Sequence, residues 1–102
     1  MNSNERNLYR DLQEIRKLWN EWDPIGVCPS ENDILDEYDF YLKPTLQLLR
    51  QTATTVEIEN YLNLVLEEFM GFDDAYISHC KPHEFANKLH AWFQKLQKNI
   101  NN

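Results

Sequence analysis

The chain has 102 residues and a formal net charge of −7, and its composition excludes several classes of protein. Apolar residues at 42% and aromatic residues at 13% fit a folded domain rather than a disordered acidic chain. Two glycines and four prolines supply too few tight turns for a β-sandwich or a β-barrel. No apolar run is long enough to cross a membrane, and the first ten residues lack the apolar centre of a signal peptide. We therefore expect one cytoplasmic domain over residues 1–102, with a polar tail at 99–102 and reduced thiols at Cys28 and Cys80.

The negative charge is concentrated in the centre of the chain. Residues 21–76 contain thirteen acidic and two basic residues, a net charge of −11, whereas residues 1–20 and 77–102 are slightly basic. Such a block repels nucleic acid and anionic membranes, and it attracts cations and basic proteins. It is the strongest functional signal in the sequence.

Helical periodicity runs through the first half of the chain. Apolar residues three or four apart predict a helix from about Glu5 to Trp22, which Asp23-Pro24 ends because the residue before a proline avoids the helical conformation. A second pattern follows Pro29-Ser30 and continues to Leu49, and Pro44 predicts a kink or break near residues 41–43. The apolar positions of these two patterns are Leu8, Leu12, Ile15, Trp19 and Trp22, then Leu35, Tyr38, Leu42, Leu46 and Leu49.

The second half contains two further helical patterns. Thr54 and Glu57 form a capping box before the third pattern, and Gly71 stands where a glycine ends a helix. Residues 72–80 are expected to form a short link with one helical turn, and Pro82 begins the last helix. The expected core positions are Ile58, Tyr61, Leu62, Val65, Leu66 and Phe69, then Phe85, Leu89, Trp92 and Leu96. The fold prediction is all-α, a compact bundle of four to five helices with one kinked or broken near Pro44.

Two groups of carboxylates are candidate sites. The first is Asp33, Asp36, Glu37 and Asp39, whose spacing on a helix would place them along one side. The second is Glu67, Glu68, Asp73 and Asp74, around the end of the third helix. Either group could bind a basic partner, the first with Tyr38 and Tyr41 as aromatic anchors, or could be a solvated face that keeps the protein soluble. A Mg²⁺ site of a nucleotide hydrolase is a weaker alternative, because paired Glu-x-x-Glu and Glu-x-x-Asp motifs do not occur.

Other chemistry lacks a complete motif. His79, Cys80 and His83 supply one arm of a zinc site, but Cys28 stands alone where a second arm would be needed. No phosphate-binding loop and no nucleophile with a matching base is marked in the sequence. We expect a protein without catalytic residues, metal or cofactor.

The segments Trp22-Asp23-Pro24-Ile25-Gly26-Val27 and Asp36-Glu37-Tyr38-Asp39 with Tyr41 resemble the YugE-like family of small helical bacterial proteins. The resemblance covers about residues 8–72, and it implies a compact α fold in the bacterial cytoplasm with no catalytic residues to transfer. In these motifs Asp23 is expected to cap a turn that Pro24 and Gly26 shape, and Tyr38 to bury its ring while its hydroxyl bonds the loop.

Small acidic proteins of this kind also resemble immunity proteins of contact-dependent growth inhibition systems, which bind and block toxin domains. We therefore expect a monomeric inhibitor that covers the cleft of a basic toxin of the nuclease class with exposed carboxylates. The partner-binding residues are then the two acidic groups, and no nucleic acid or membrane is bound. The alternatives are a housekeeping adaptor of the same family and the Mg²⁺-dependent hydrolase.

Overall fold

Helices account for all the regular structure in a computed structural model that describes the backbone of residues 3–100 and the side chains of residues 8–98. Within that range the chain has six α-helices, one 3-10 turn, one π turn and no strand. The helices are α1 (Ser3–Trp22), α2 (Pro29–Asn32), α3 (Leu42–Arg50), α4 (Thr55–Leu64), α5 (Asp74–Cys80) and α6 (Pro82–Ile100). The all-α prediction is confirmed. No helix of the described residues has both the length and the apolar character that crossing a membrane needs.

The chain divides into two compact units, Met1–Gln47 and Leu48–Asn102, and the prediction of one domain over the whole chain stays a prediction. The apolar core side chains of the first unit, among residues 8–47, are Ile15, Trp19, Tyr38, Leu42 and Leu46. The buried apolar side chains of the second unit are Leu49, Ala53, Ile58, Leu62, Val65, Leu66, Phe85, Ala86, Leu89 and Phe93. The final two residues of the predicted polar tail lie outside the described residues.

α1 follows its predicted apolar stripe most closely in its second half. Ile15 and Trp19 are fully buried, and Trp22 is half-buried at the helix end. The helix ends because Asp23 adopts a left-handed conformation with φ 47, and its N–H donates to the carbonyl of Trp19 at 2.9 Å. Asp11, which the pattern placed off the apolar stripe, is buried as well, with Arg10 Nε 3.7 Å from its carboxylate.

The predicted break in the second helical pattern is present, but it is longer than the proline alone requires. α2 is a single turn, residues 33–38 are not helical, and a 3-10 turn, Asp39–Tyr41, leads into α3. Pro44 lies in the first turn of α3, where a missing N–H breaks no helical bond. The helical interpretation of residues 33–38 is therefore wrong. The physical reason is that Asp33 adopts φ 57, a left-handed conformation that ends α2 after one turn.

α4 begins as the sequence predicts and then changes its helical register. The capping box is formed, with the Glu57 N–H donating to Thr54 Oγ1 at 3.2 Å and the Thr54 N–H donating to Glu57 Oε1 at 3.2 Å. A π turn, Val65–Phe69, follows α4, and its closing bond runs from the Met70 N–H to the Val65 carbonyl at 2.9 Å. The helix then stops at Gly71, whose φ of +72 confirms the predicted glycine end.

The π turn explains why one predicted core residue is exposed. In an α-helix each residue advances by about 100°, so Phe69 would lie within about 20° of the buried Leu62. A π turn bonds residues five apart, so each of its residues advances by less than in an α-helix. The accumulated difference turns Phe69 away from the buried face, and its side chain is 59% exposed. The prediction that Phe69 is a core residue is wrong for this reason.

The last two helices meet at a left-handed residue. α5 has seven residues, more than the single turn predicted for this link, and Lys81 with φ 55 separates it from α6. α6 begins at Pro82 as predicted and packs on α4. Its buried residues, within the part whose side chains are described, are Pro82, Phe85, Ala86, Leu89 and Phe93, whereas the predicted core residues Trp92 and Leu96 are half-buried.

Candidate functional site

A hydrogen-bonded lock joins the loop after α1 to residue 38. The Asp23 carboxylate accepts hydrogen bonds from the N–H groups of Val27 and Cys28, both at 3.0 Å. The Tyr38 hydroxyl donates to Asp23 Oδ1 at 2.7 Å and accepts from the Ile25 N–H at 3.0 Å. The predicted roles of Asp23 and Tyr38 are confirmed. Burial, and then the bond to the Asp23 carboxylate, raise the pKa of the Tyr38 hydroxyl far above its ordinary value.

Aromatic packing supports this lock from within the first unit. The Trp19 ring lies 5.7 Å from that of Tyr38 and 5.4 Å from that of Tyr41, measured between centroids. Trp19 Nε1 donates to Thr45 Oγ1 at 3.2 Å, and the same hydroxyl donates to the Tyr41 carbonyl at 2.7 Å. Because Trp19 Nε1 and the Tyr38 hydroxyl, the polar atoms of the two fully buried rings, are bonded, the packing fixes the segment between Tyr38 and Tyr41 on α1 and α3.

The four carboxylates of the first acidic group are all exposed on the segment between α2 and α3. Asp39 is held by Arg16 in a paired geometry, with Nε 2.9 Å from Oδ1 and Nη2 3.0 Å from Oδ2. Among the described residues Asp36 and Glu37 form no ion pair. Because residues 33–38 are not helical, the group does not form the helical row that its spacing suggested.

Phe40 is the most exposed large apolar side chain of this surface, and the sequence interpretation did not single it out. Its side chain is 73% exposed, and its ring meets that of Tyr41 edge-on at 5.5 Å. A groove of about 430 Å³ adjoins it, lined by Leu12, Gln13, Arg16, Asp39, Phe40, Leu42 and Lys43. The available signal was its phase, because Phe40 falls between the apolar positions Tyr38 and Leu42 and so cannot face the same side as both.

The second acidic group divides between two structural elements. Glu67 and Glu68 lie on the π turn, whereas Asp73 and Asp74 begin α5, and all four are exposed. Asp73 caps α5, since its Oδ1 accepts from the Tyr76 N–H at 2.9 Å. Asp73 and Asp74 therefore stand at the N-terminal end of α5, where the helix dipole favours negative charge.

The candidate zinc ligand His83 makes other contacts. His83 Nδ1 lies 2.6 Å from Glu59 Oε1, which ties the start of α6 to α4, and Nε2 lies 3.3 Å from Asn87 Nδ2. Burial raises the pKa of the Cys80 thiol. Within the described residues no three His, Cys, Asp or Glu side chains are grouped so that they could hold a metal ion.

Compared with protein-family models, with curated proteins and with solved structures, the chain has no significant match. The resemblance to the YugE-like family and to immunity proteins therefore stays a prediction. The described residues include two groups of exposed carboxylates, each close in the sequence to an exposed phenylalanine, Phe40 or Phe69.

Proposed function

We propose that this protein binds a basic protein and neutralises it, as an immunity protein neutralises a toxin domain. The observation that carries the proposal is Phe40, 73% exposed beside a groove and within a group of exposed carboxylates. An aromatic anchor surrounded by charge is the usual composition of a tight polar interface. The inhibitor acts in the bacterial cytoplasm as a monomer.

Electrostatics supports a basic partner. The block from residue 21 to residue 76 has a net charge of −11, and such a field raises the rate at which a positively charged protein finds the surface. A nuclease cleft built to hold phosphates accepts carboxylates through the same arginine and lysine side chains. In this proposal Asp36 and Glu37 reach the cleft of the toxin, and the covered cleft cannot bind its RNA or DNA.

Rigid presentation of the segment also supports the proposal. Tyr38 is fully buried and bonded to Asp23, and Asp39 is held by two bonds from Arg16. The two anchored residues lie between the exposed carboxylates Asp36 and Glu37, which precede them, and Phe40, which follows. A surface that is already ordered loses little conformational freedom when it binds, so more of the contact energy appears as affinity.

The first experiment is native mass spectrometry on the protein purified at low salt from its own source cells. We expect a stoichiometric basic partner of domain size that is lost as salt rises, and that cleaves RNA or DNA when it is separated. Adding the acidic protein back at one equivalent should stop the cleavage. Two results would contradict neutralisation: purification of the protein without a bound partner, or continued cleavage of RNA or DNA by the partner after the acidic protein is added. Either result would favour the housekeeping adaptor.

The second experiment locates the surface on the recovered partner. The double variant Asp36→Lys with Glu37→Lys should slow association at low salt by about tenfold and flatten its dependence on salt. The matched control is Glu14→Lys with Glu84→Lys, which changes net charge equally at two exposed positions outside the acidic block. Equal slowing by the two double variants would assign the effect to net charge and remove Asp36 and Glu37 from the interface.

A further inference from the structure

The π turn creates an exposed apolar surface in the second unit. The side chains of Leu64 and Phe69 are 48% and 59% exposed, and they are five residues apart. In an α-helix that spacing would place them about 140° apart. Since a π turn bonds residues five apart, it brings Leu64 and Phe69 to about the same side of the helix. The change of register thus assembles an apolar ridge that an uninterrupted α-helix would not present.

The charge around this ridge has one sign. Four exposed carboxylates, Glu67, Glu68, Asp73 and Asp74, lie on the π turn and at the start of α5. No lysine or arginine occurs from residue 51 to residue 80, so the segment that contains these four carboxylates has no basic side chain of that kind. Tyr76 on α5 is 36% exposed and packs on Phe72, with ring centroids 4.4 Å apart. The exposed side chains of the π turn and of the start of α5 are therefore mostly apolar or acidic.

We infer that this surface, the Phe69 ridge, binds an amphipathic basic segment of another protein. The apolar ridge takes a leucine-sized side chain, and lysine or arginine residues on either side of that anchor meet the carboxylates. The occupant is fixed by complementarity, because a neutral or acidic segment would leave four carboxylates without counter-charges. The π turn is a form of helix that occurs frequently at functional sites.

The inference does not depend on a toxin partner, and it can be tested with synthetic peptides on the whole chain. One fluorescent 14-residue peptide carries leucines on one helical face and lysines elsewhere, and its companion has alanine at every leucine position. Anisotropy gives the dissociation constant of each. We expect the leucine peptide to bind at least about tenfold more tightly than the alanine peptide, since fully burying one leucine is worth about that factor.

Variants of the protein then test which residues cause the tighter binding of the leucine peptide. Phe69→Ala should reduce the leucine-to-alanine ratio to about twofold or less, and Phe69→Leu should restore it. The matched control is Val56→Ala, which trims another exposed apolar side chain of α4, 62% exposed, and should keep the full ratio. Thermal unfolding of each variant checks that the fold is intact, as the exposure of residue 69 leads us to expect.

Two results would overturn the inference. If Phe69→Ala keeps the full ratio, the leucine side chain does not contact the Phe69 ridge. If Phe40→Ala abolishes the ratio while Phe69→Ala does not, the peptide binds the groove of the first unit instead. Nuclear magnetic resonance provides an independent reading, because amide shifts on peptide addition should centre on residues 64–76, and shifts centred elsewhere would contradict the assignment.

Discussion

At the scale of single residues, the bond between Tyr38 and Asp23 decides how the first acidic group is presented. The Tyr38 hydroxyl is both a donor and an acceptor, and its ring is fully buried. Removing it leaves the Ile25 N–H and one Asp23 oxygen without that partner in a partly buried site. A partly buried donor or acceptor without a partner has lost its bonds to water and gained none in return. Its loss therefore lowers stability more than the loss of an exposed hydrogen bond does.

Tyr38→Phe should therefore lower the free energy of unfolding by about 1–3 kcal/mol. Urea unfolding followed by circular dichroism measures the change. Tyr9→Phe is the matched control, because the same hydroxyl is removed from a side chain that is 69% exposed, and it should alter stability by less than about 0.5 kcal/mol. Equal losses in the two variants would show that the lock contributes nothing to stability.

The raised pKa of Tyr38 predicts a loss of stability at alkaline pH. Burial and the Asp23 carboxylate disfavour the tyrosinate in the folded state, so the unfolded chain releases the proton first. Stability is complete below the ordinary tyrosine pKa of about 10 and falls as pH rises above it, by up to about 1.4 kcal/mol per pH unit for one group. Burial also raises the pKa of Tyr41, which adds to the same slope.

Urea unfolding at several values of pH above 10 tests this. Between pH 8 and higher pH, the free energy of unfolding should fall less in Tyr38→Phe than in the original chain. The reason is that a phenylalanine at residue 38 has no proton to release. Tyr41→Phe should give a smaller change of the same sign, since Tyr41 is half-buried. An unchanged slope in Tyr38→Phe would mean that residue 38 ionises equally in the folded and unfolded chain.

At the scale of elements, the π turn behaves as an α-helix with one additional residue. Deleting Glu67 should let the α-helical bonds run through this region while Leu62 and Phe69 keep their faces, and we expect a cost below about 1 kcal/mol. Deleting Asn87 from α6, which is α-helical throughout, should cost about 3 kcal/mol or more, because Leu89 and Phe93 are then rotated by about 100° away from buried positions. Urea unfolding distinguishes the two deletions, and equal costs would contradict this description of the π turn.

The helix ends were predictable because their causes are local. The capping box at Thr54, the glycine at position 71 and the proline at position 82 each act within a few residues, and each ends or begins a helix as expected. The π turn was not predictable in this way, because a stripe from Ile58 to Phe69 fits an ordinary α-helix equally well. The helical register in this region depends on which residues are buried in the folded protein, and the periodicity of apolar residues in the sequence does not determine that.

The candidate site was predictable in part for the same reason. The two sequence motifs contained Asp23 and Tyr38, one in each, whose bond follows from a tyrosine that is buried with its hydroxyl near a turn. The pairing of Arg16 with Asp39 joins residues 23 positions apart, so it depends on how the elements pack and not on spacing. The acidic residues of both groups were correctly expected at the surface. The exposure of Phe40 and Phe69, by contrast, is known only from the structure.

At the scale of the whole molecule, the charge is arranged unevenly along the chain, with an acidic centre and slightly basic ends. At neutral pH the net charge of −7 should make copies repel each other at low salt. Near the isoelectric point of about 4.8 the net repulsion vanishes, and the exposed apolar side chains then favour association.

Dynamic light scattering at increasing protein concentration measures this balance. We expect the diffusion coefficient to rise with concentration at pH 7 in low salt, and to fall with concentration near pH 4.8. Adding about 0.15 M NaCl at pH 7 should weaken the rise, because the screening length shortens to about 8 Å. A dependence on concentration that is the same at both pH values would show that net charge does not control association.

The aromatic packing around Trp19 has an optical consequence. Trp19 lies 5.1 Å from Trp22, measured between ring centroids, and both belong to the first unit, whereas Trp92 belongs to the second. Rings held this close at fixed angles give a distinctive near-ultraviolet circular dichroism signal, which disappears when their packing loosens. In a Trp92→Phe variant all tryptophan emission comes from the first unit, and in a Trp19→Phe, Trp22→Phe variant it comes from the second. The chain can thus report, without an attached label, which of its two units a bound protein disturbs.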